Sequence, residues 1–329
     1  MAATARIKLD PFLMAIIAAA VIATFLPATG IGAEVLAVAT KVAIFCLFFL
    51  YGARLHPEEA IKGLKHWRLH LTILAFTFVL FPLIGLLIGL LPAWALAPAL
   101  IPGMVYVTLC PSTVQSSINF TSIARGNVAG AIVSASASNL LGVFLTPLLA
   151  IALMNTTGNA NVGLGSIVDL VVQILLPFIL GQLSRRWTAD FVARHKKLKL
   201  FDQASIVMVV YAAFSQGIRE GIWSMVGWTD IVALVIVCLV LLAFMLWLTW
   251  FTAKRLGFNR ADAIAIQMCG TKKSLATGLP MATVLFAGQP IGLIMLPLMV
   301  FHQAQLMACS ALAARYARDP EPDAAAPVS

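Results

Sequence analysis

Long apolar runs alternate with short polar segments along almost the whole chain. Ten of the runs are long enough to cross a bilayer, whose hydrocarbon core needs about 20 apolar residues in a helix. We therefore predict an all-α membrane protein with ten transmembrane helices. The predicted spans cover residues 11–27, 33–53, 69–92, 97–124, 127–153, 164–184, 201–222, 227–251, 262–285 and 290–314.

The basic residues alternate between the two sides that these spans define. Of the 22 Lys and Arg, 18 fall at the chain ends or in every second connection, and only Arg219 falls at an opposite end. Because basic residues concentrate in cytoplasmic loops, both termini are predicted to be cytoplasmic, in a cell (inner or plasma) membrane. Residues 1–318 then form a single transmembrane unit. The proline-rich residues 319–329 are predicted to be a disordered cytoplasmic tail.

Composition narrows the functional class. The 329 residues are 61% hydrophobic and 11% charged, whereas soluble domains carry about 25% charged residues. A soluble enzyme and a nucleic-acid binder are therefore excluded despite the net charge of +9, and the partner of most of the surface is the lipid bilayer. The cysteines and histidines lack metal-ligand spacing, so no metal is predicted. No nucleophile–base–acid set appears either, so we expect no enzyme.

Ten spans divide into two sets of five, and an odd number per half inverts the second half relative to the first. Pro111 in span four and Gly270 in span nine lie 159 residues apart, at matching places, and polar residues follow both. This pattern favours two inverted five-helix repeats in which broken helices 4 and 9 cross at mid-membrane. The alternative is that Pro and Gly only kink these helices, as they do in many membrane proteins.

A crossing of broken helices can hold a small cation and an anionic group, because half-helix ends carry opposite partial charges. The candidate binding side chains are Ser112, Thr113, Gln115, Ser116, Ser117 and Asn119 in span four, Ser134 and Ser138 in span five, and Gln267, Thr271 and Ser274 in span nine. None of the 13 acidic residues lies at a span centre. This argues against a proton relay or a cation antiporter, which would need a membrane carboxylate.

Two lysines sit at the second break. A buried ammonium without a carboxylate is costly, so Lys272 and Lys273 must point into water, lose a proton or meet an anion. Neighbouring residues on a helix diverge by about 100°, so one can face the cavity while the other finds carbonyls. We hypothesise that at least one contacts a substrate anion or replaces a coupling cation. The alternative is that both line a hydrated cavity without a ligand. Lys41, within span two, is expected to snorkel.

Several segments carry a family resemblance. They are Cys110-Pro111, Ala124-Arg125-Gly126-Asn127-Val128, Gly270 with Ser274, and Thr77-Phe78-Val79-Leu80-Phe81-Pro82. Together they make the sequence resemble the bile acid:sodium symporter family, and within it the sodium/bile acid cotransporter 7-like branch. The resemblance implies a panel domain from spans 1, 2, 6 and 7 and a core domain from spans 3–5 and 8–10. It also implies inward transport of organic anions with sodium.

The residues that the family uses for sodium are largely replaced. Met268 falls at a glutamate position, Lys272 and Lys273 replace a Gln–Asn pair, and Thr77 replaces a glutamine, which adds Thr77 to the candidates. Ser117 and Ile118 stand for a Ser–Asn pair, and Ala131 and Ala135 stand for two hydroxyl residues. The loss of a carboxylate and the gain of ammonium groups disfavour cation binding. We therefore do not carry the family's sodium coupling over to this sequence.

The sequence as a whole predicts a secondary transporter that moves a small organic anion by alternating access. A bile-acid-like molecule or another amphipathic carboxylate or sulfate is the expected substrate. No cofactor is predicted; sodium coupling and the oligomeric state stay open. The alternative is a non-transporting membrane regulator of calcium entry, since the cotransporter 7-like branch has been linked to calcium regulation. The chain lacks a carboxylate cage for calcium.

Overall fold

The computed structural model describes residues 11–54, 66–154, 168–169, 171–195 and 197–318, and every regular element within them is a helix. The predicted tail, 319–329, lies outside the described residues. The helices are α1 (Pro11–Phe25), α2 (Gly30–Arg54), α3 (Trp67–Gly89), α4 (Pro98–Leu109), α5 (Val114–Ile123), α6 (Val128–Met154), α7 (Val171–Leu183), α8 (Arg185–Arg194), α9 (Leu198–Arg219), α10 (Ile222–Met225), α11 (Trp228–Arg255), α12 (Arg260–Gly270), α13 (Leu275–Leu285) and α14 (Ile291–Arg318).

Six helices are long and apolar enough to cross a membrane by length and composition, namely α2, α3, α6, α9, α11 and α14. Shorter apolar helices include α4, α7 and most of α1. Large apolar side chains cover much of the outside, and Leu71, Val240 and Trp247 are all more than half exposed. Such a surface suits lipid rather than water. The all-α membrane class predicted from the sequence is therefore confirmed.

Helix α8 was not predicted. The sequence predicts a basic connection over residues 185–200, but Arg185–Arg194 form a helix that packs against α2. The segment carries too many charges and is too short to span a bilayer. Its aromatic side chains Trp187 and Phe191 are nevertheless exposed, as in helices that lie along a membrane surface.

Helix ends that the charge pattern assigned to one side of the membrane lie together. At the basic side, the Arg68 guanidinium donates to the carbonyl oxygen of Leu256 at 3.0 Å. At the opposite side, the Tyr211 hydroxyl donates to the carbonyl oxygen of Leu26 at 2.9 Å. Both contacts join helix ends of the same predicted side. The side of the membrane on which each helix end lies stays a prediction.

The helices pack in two groups. Helices α1, α2, α7, α8 and α9 contact one another, and α3 to α6 pack with α11 to α14. The groups meet where α9 lies against α13 and α14, and where α6 reaches α7. At the second place the rings of Phe144 and Phe178 meet edge to face, 6.0 Å apart.

Two glycines let α2 and α7 approach closely. A Cβ atom on Gly52 would lie 2.1 Å from the carbonyl oxygen of Phe178, and one on Gly181 would lie 2.1 Å from that of Phe49. Small residues of this kind bring membrane helices into backbone contact. The packing of α2 on α7 therefore depends on the absence of both side chains.

The substitution Gly52→Ala should lower the melting temperature of the detergent-solubilised protein by roughly 5 °C, because overpacking costs about 1–3 kcal/mol. Gly32→Ala is the matched control on the same helix, since a Cβ there meets nothing within 4 Å. The control should leave the melting temperature unchanged or raise it slightly. Equal effects of the two substitutions would contradict the close approach.

Candidate functional site at the crossing of two interrupted helices

The first interruption separates α4 from α5. Helix α4 ends at Leu109, and Cys110 and Thr113 have extended backbone conformations. Pro111 between them has no N–H and cannot continue the helical hydrogen bonding. A Cβ atom on Gly142 of α6 would lie 2.5 Å from the Cβ of Pro111. This glycine therefore lets α6 lie directly against the break.

Helix α6 supplies partners for the backbone groups that the first break exposes. The Ser112 amide donates to the Ser138 hydroxyl at 3.0 Å. The Thr146 hydroxyl donates to the Leu109 carbonyl at 2.9 Å, and the Asn139 amide group donates to the Ser112 carbonyl. Because lipid offers no hydrogen bonds, such partners are required for a broken helix at membrane depth. Ser138 was predicted at this site, and its role is to hold the break.

The second interruption separates α12 from α13. Helix α12 ends at Gly270, and the Ser274 hydroxyl caps α13 by accepting from the Thr277 amide at 3.3 Å. The Thr271 hydroxyl donates back to the Gln267 carbonyl at 2.6 Å. Both interruptions therefore occur where the sequence placed helix breakers followed by polar residues.

The two interruptions touch. Three hydrogen bonds join them directly, from the Ser274 amide to the Pro111 carbonyl (2.8 Å), from the Ser112 hydroxyl to the Cys269 carbonyl (2.7 Å), and from the Thr113 hydroxyl to the Lys273 carbonyl (2.9 Å). Ser117 lies beside them, with its hydroxyl oxygen 3.5 Å from that of Ser112. The breaks are thus one bonded unit and not two separate kinks.

The amine of Lys273 lies inside this unit, fully buried. It donates to the carbonyl oxygens of Thr108 and Cys110, both at 2.8 Å, and of Thr77 at 3.1 Å. The Phe81 ring lies 4.0 Å from the nitrogen and adds a cation–π contact. A protonated amine has three N–H donors, and here each has a carbonyl acceptor. The three carbonyl acceptors therefore match the protonated form of the Lys273 amine.

Gln305 on α14 holds the backbone of the same lysine. The Lys273 amide donates to the Gln305 side-chain oxygen at 2.8 Å, and the Gln305 amide group donates to the Lys273 carbonyl at 2.8 Å. Gln305 is completely buried. Sequence reasoning missed this residue, although a side-chain amide within an otherwise apolar run was the available signal.

The neighbouring lysine has a different environment. The Lys272 amine is fully buried and lies 4.0 Å from the Phe120 ring centre. The Cys309 and Cys269 thiols are its polar neighbours, and no oxygen of the described residues accepts a hydrogen bond from it. The Ser116 hydroxyl, one helical turn from Phe120 on α5, is also buried without a partner. Neither lysine is paired with a carboxylate in the part of the chain that the structure describes.

Four predicted residues do not reach the crossing. Gln115 and Asn119 are exposed on α5, one turn apart on the same face. Ser134 instead lies 2.7 Å from a ring nitrogen of His70, because its position on α6 faces α3 rather than the breaks. The Gln267 side chain faces α11, where it donates to the Leu246 carbonyl at 2.8 Å.

Thr77 reaches the crossing with its backbone and not with its side chain. Its hydroxyl donates back to the Ile73 carbonyl at 2.9 Å, whereas its carbonyl accepts from Lys273. The prediction that the Thr77 side chain contributes is therefore corrected to a backbone contribution.

No group of His, Cys, Asp and Glu suited to a metal occurs among the described residues.

A cleft of about 210 Å³ separates the two helix groups on the side opposite the basic ends. Its polar lining comprises Thr40, Lys41, Asp169, Gln173, Gln216, Arg219 and Thr283. Lys41 was expected only to snorkel, and it lines this cleft instead. Thr283 belongs to α13, and nine residues of helical rise, about 14 Å, separate it from Ser274 at the crossing. One helix thus joins the cleft to the breaks.

The model of the SBF-like CPA transporter family matches residues 10–318. The chain belongs to this family. It is 50% identical over 320 residues to “Uncharacterized protein PA2026” of Pseudomonas aeruginosa, with 96% of both chains covered. It is 49% identical over 314 residues to “Putative symporter YfeH” of Escherichia coli, covering 95% of this chain and 94% of the relative.

A vertebrate relative is more distant. Sodium/bile acid cotransporter 7 of Rattus norvegicus is 31% identical over 315 residues, which cover 93% of this chain and 92% of the relative. The resemblance to the bile acid:sodium symporter family is therefore confirmed. Membership in a family of transporters, together with the apolar helices, makes the chain a multi-pass membrane transport protein.

Replacing Gln305 should weaken the crossing. Gln305→Leu removes both hydrogen bonds to the Lys273 backbone and should lower the free energy of unfolding by about 2 kcal/mol, because a buried amide and a buried carbonyl each lose a partner. Gln303→Leu is the control, since its side-chain oxygen on the same helix is buried without a partner. Thermal unfolding in detergent should therefore show a clearly lower melting temperature for Gln305→Leu only. An equal decrease in melting temperature for both variants would contradict the role of Gln305.

Proposed function

We propose that the protein is a secondary transporter that moves an amphipathic organic anion, a carboxylate or a sulfate, across the membrane by alternating access. In this proposal ten spans form two inverted five-helix repeats, with both termini in the cytoplasm of a cell (inner or plasma) membrane. Helices α1, α2, α7 and α9 act as the panel, and α3 to α6 with α11 to α14 act as the core. One observation carries the proposal: two broken helices are bonded at a crossing whose buried charges are ammonium groups.

The charge at the crossing favours an anion. Lys272 holds a buried amine that has thiol neighbours but no oxygen acceptor among the described residues, and a carboxylate or sulfate oxygen is the partner that such a group prefers. The buried Ser116 hydroxyl on the neighbouring turn of α5 supplies a second donor. We assign the substrate's charged group to these two side chains, in a conformation that opens them to one side.

The cleft between the helix groups is the proposed entry from outside. Lys41 and Arg219 line it together with the single carboxylate Asp169, so its lining carries more positive than negative charge. A positive cleft raises the local concentration of anions. Sliding of the core group against the panel group at this cleft would then carry the crossing between the two sides.

Sodium is not assigned as a coupling ion by this proposal. The position at which the family has a sodium-binding glutamate is Met268, which is completely buried in an apolar cluster with Ile264 and Cys309. A thioether supplies none of the charge that a carboxylate gives to a cation. Some relatives are named sodium/bile acid cotransporters, and those names describe the relatives.

The direct test is uptake of a fluorescent bile acid, and of an alkyl sulfate, into proteoliposomes that contain the purified protein. Saturable uptake above that of empty liposomes supports the carrier. Absence of uptake for a panel of amphipathic carboxylates and sulfates would contradict it and favour the calcium-entry regulator.

Lys272→Met should reduce uptake at least about tenfold, because one charge-assisted hydrogen bond to the anion is worth roughly 1.5–3 kcal/mol. Lys199→Met is the control, since Lys199 is exposed at the far, basic side of the protein. The control should retain wild-type uptake. Wild-type uptake by Lys272→Met would remove this residue from the site.

Lys41→Gln should mainly raise the apparent KM, by about twofold to fivefold, with little change in maximal rate. Its charge concentrates the anion in the cleft and does not bind it at the crossing, and the effect should fade as salt is added. Lys199→Gln serves as the matched charge change. A loss of maximal rate without a change in KM would contradict an entry role for Lys41.

A further inference from the structure

The oxygens around the Lys273 amine have the composition of a cation site. All three are backbone carbonyls, and they come from α3, from the last turn of α4 and from the first break. Unwound carbonyls and the C-terminal ends of half-helices are the groups that hold small monovalent cations inside membrane proteins. The lysine nitrogen stands where such an ion would lie.

The Thr77 carbonyl lacks a helical partner for reasons that do not involve the lysine. In a regular α-helix it would accept from Phe81, but α3 makes a π-turn here and the Phe81 amide bonds to Phe76 instead. The next residue, Pro82, has no N–H to offer. The π-turn and the proline together therefore leave this carbonyl available inside the protein.

The Thr108 carbonyl also lacks a hydrogen-bond donor within its own helix. Its helical partners would be the amides of residues 111 and 112, but Pro111 has none and the Ser112 amide bonds to Ser138. Cys110 lies beyond the end of α4, so its carbonyl has left the helical pattern as well. The backbone builds a cage of three carbonyl oxygens, and an unfilled cage of this kind would be costly in a membrane.

We propose that the Lys273 ammonium is a tethered cation that permanently fills a monovalent-cation site formed by the carbonyls of Thr77, Thr108 and Cys110. The cage should accept a small free cation when the side chain is shortened. A second consequence rests on the proposed function: the wild-type carrier needs no coupling sodium, because a covalently attached ammonium group already occupies the site.

The same geometry separates Lys273 from substrate binding. All three of its N–H donors are used by the cage, so it has none to offer to an anion. Lys272 has the same burial but lacks an oxygen acceptor among the described residues. The two adjacent lysines therefore have different tasks, and Lys272 is the natural control for experiments on Lys273.

The test shortens the Lys273 side chain and supplies free cations in its place. In Lys273→Ala the atoms lost beyond Cβ are those of propylammonium, so propylammonium chloride and sodium chloride are compared with choline chloride, which is too large for the cage. The melting temperature of the purified variant in detergent should fall in choline by roughly 5 °C or more. Either small cation should restore part of this loss. Lys273→Met, which fills the space without a charge, and Lys272→Ala should show no cation-dependent recovery.

Uptake into proteoliposomes gives the second readout. Wild-type uptake should be equal in sodium and in choline media. Lys273→Ala uptake should be at least about tenfold lower in choline and should rise saturably with sodium or propylammonium. If Lys273→Ala does not fold, the wild-type comparison decides: equal uptake in both media supports the tethered cation, and a sodium requirement overturns it.

The two readouts distinguish the failure of each idea. Recovery of the Lys273→Ala melting temperature by small cations supports the cage even if wild-type protein transports no anion, in which case only the proposed function fails. A Lys273→Ala melting temperature that neither cation changes overturns the cage whatever the uptake data show. Wild-type uptake that falls to background without sodium overturns the claim that the coupling site is already filled.

Discussion

Lys273 is hydrogen-bonded at its amide, its carbonyl and its amine, and these bonds connect four parts of the protein. The amide and carbonyl bind Gln305 of α14, the carbonyl also binds Thr113 at the first break, and the amine binds carbonyls of α3 and α4. Removing Gln305 would leave the Lys273 amide without a partner, and removing the amine would leave three carbonyls without water or lipid to satisfy them. The crossing therefore depends on Gln305 and on the Lys273 amine.

Close packing makes that set geometrically available. Gly142 lets α6 lie against Pro111, and a Cβ on Gly278 would lie 2.9 Å from the Cys110 sulfur. The Tyr106 hydroxyl donates to the Gly278 carbonyl at 2.7 Å, which ties α4 to α13 just beyond the breaks. Because lipid tails are as apolar as leucine, such backbone approaches and buried hydrogen bonds hold the helices together more than burial alone does.

The sequence was most informative where a residue changes the backbone itself. Pro111 removes a hydrogen-bond donor and Gly270 loosens a helix end, so both interruptions could be predicted. Helix α8 was missed because a short charged segment resembles a loop in a pattern built from span lengths.

The backbone groups that form the site were less predictable from the sequence. Every residue has a carbonyl group, so residue identity does not show which carbonyls contact Lys273. Nothing in the identity of Thr77 reveals that a π-turn exposes its carbonyl, and the distance to Lys273 arises only from the tertiary fold. The hypothesis that one lysine finds carbonyls while the other does not came from helical geometry, but the choice between Lys272 and Lys273 needed coordinates. Gln305 was overlooked for the same reason, since its partner is backbone.

The most direct test of this account is NMR spectroscopy of the detergent-solubilised protein labelled with nitrogen-15 at its lysines. A charged amine held by three carbonyls exchanges its protons slowly with water, so we expect a protected ammonium resonance that disappears in Lys273→Met and persists in Lys272→Met. Absence of any protected ammonium signal that depends on Lys273, or a signal at that residue with the properties of a neutral amine, would contradict the central role of the buried charge.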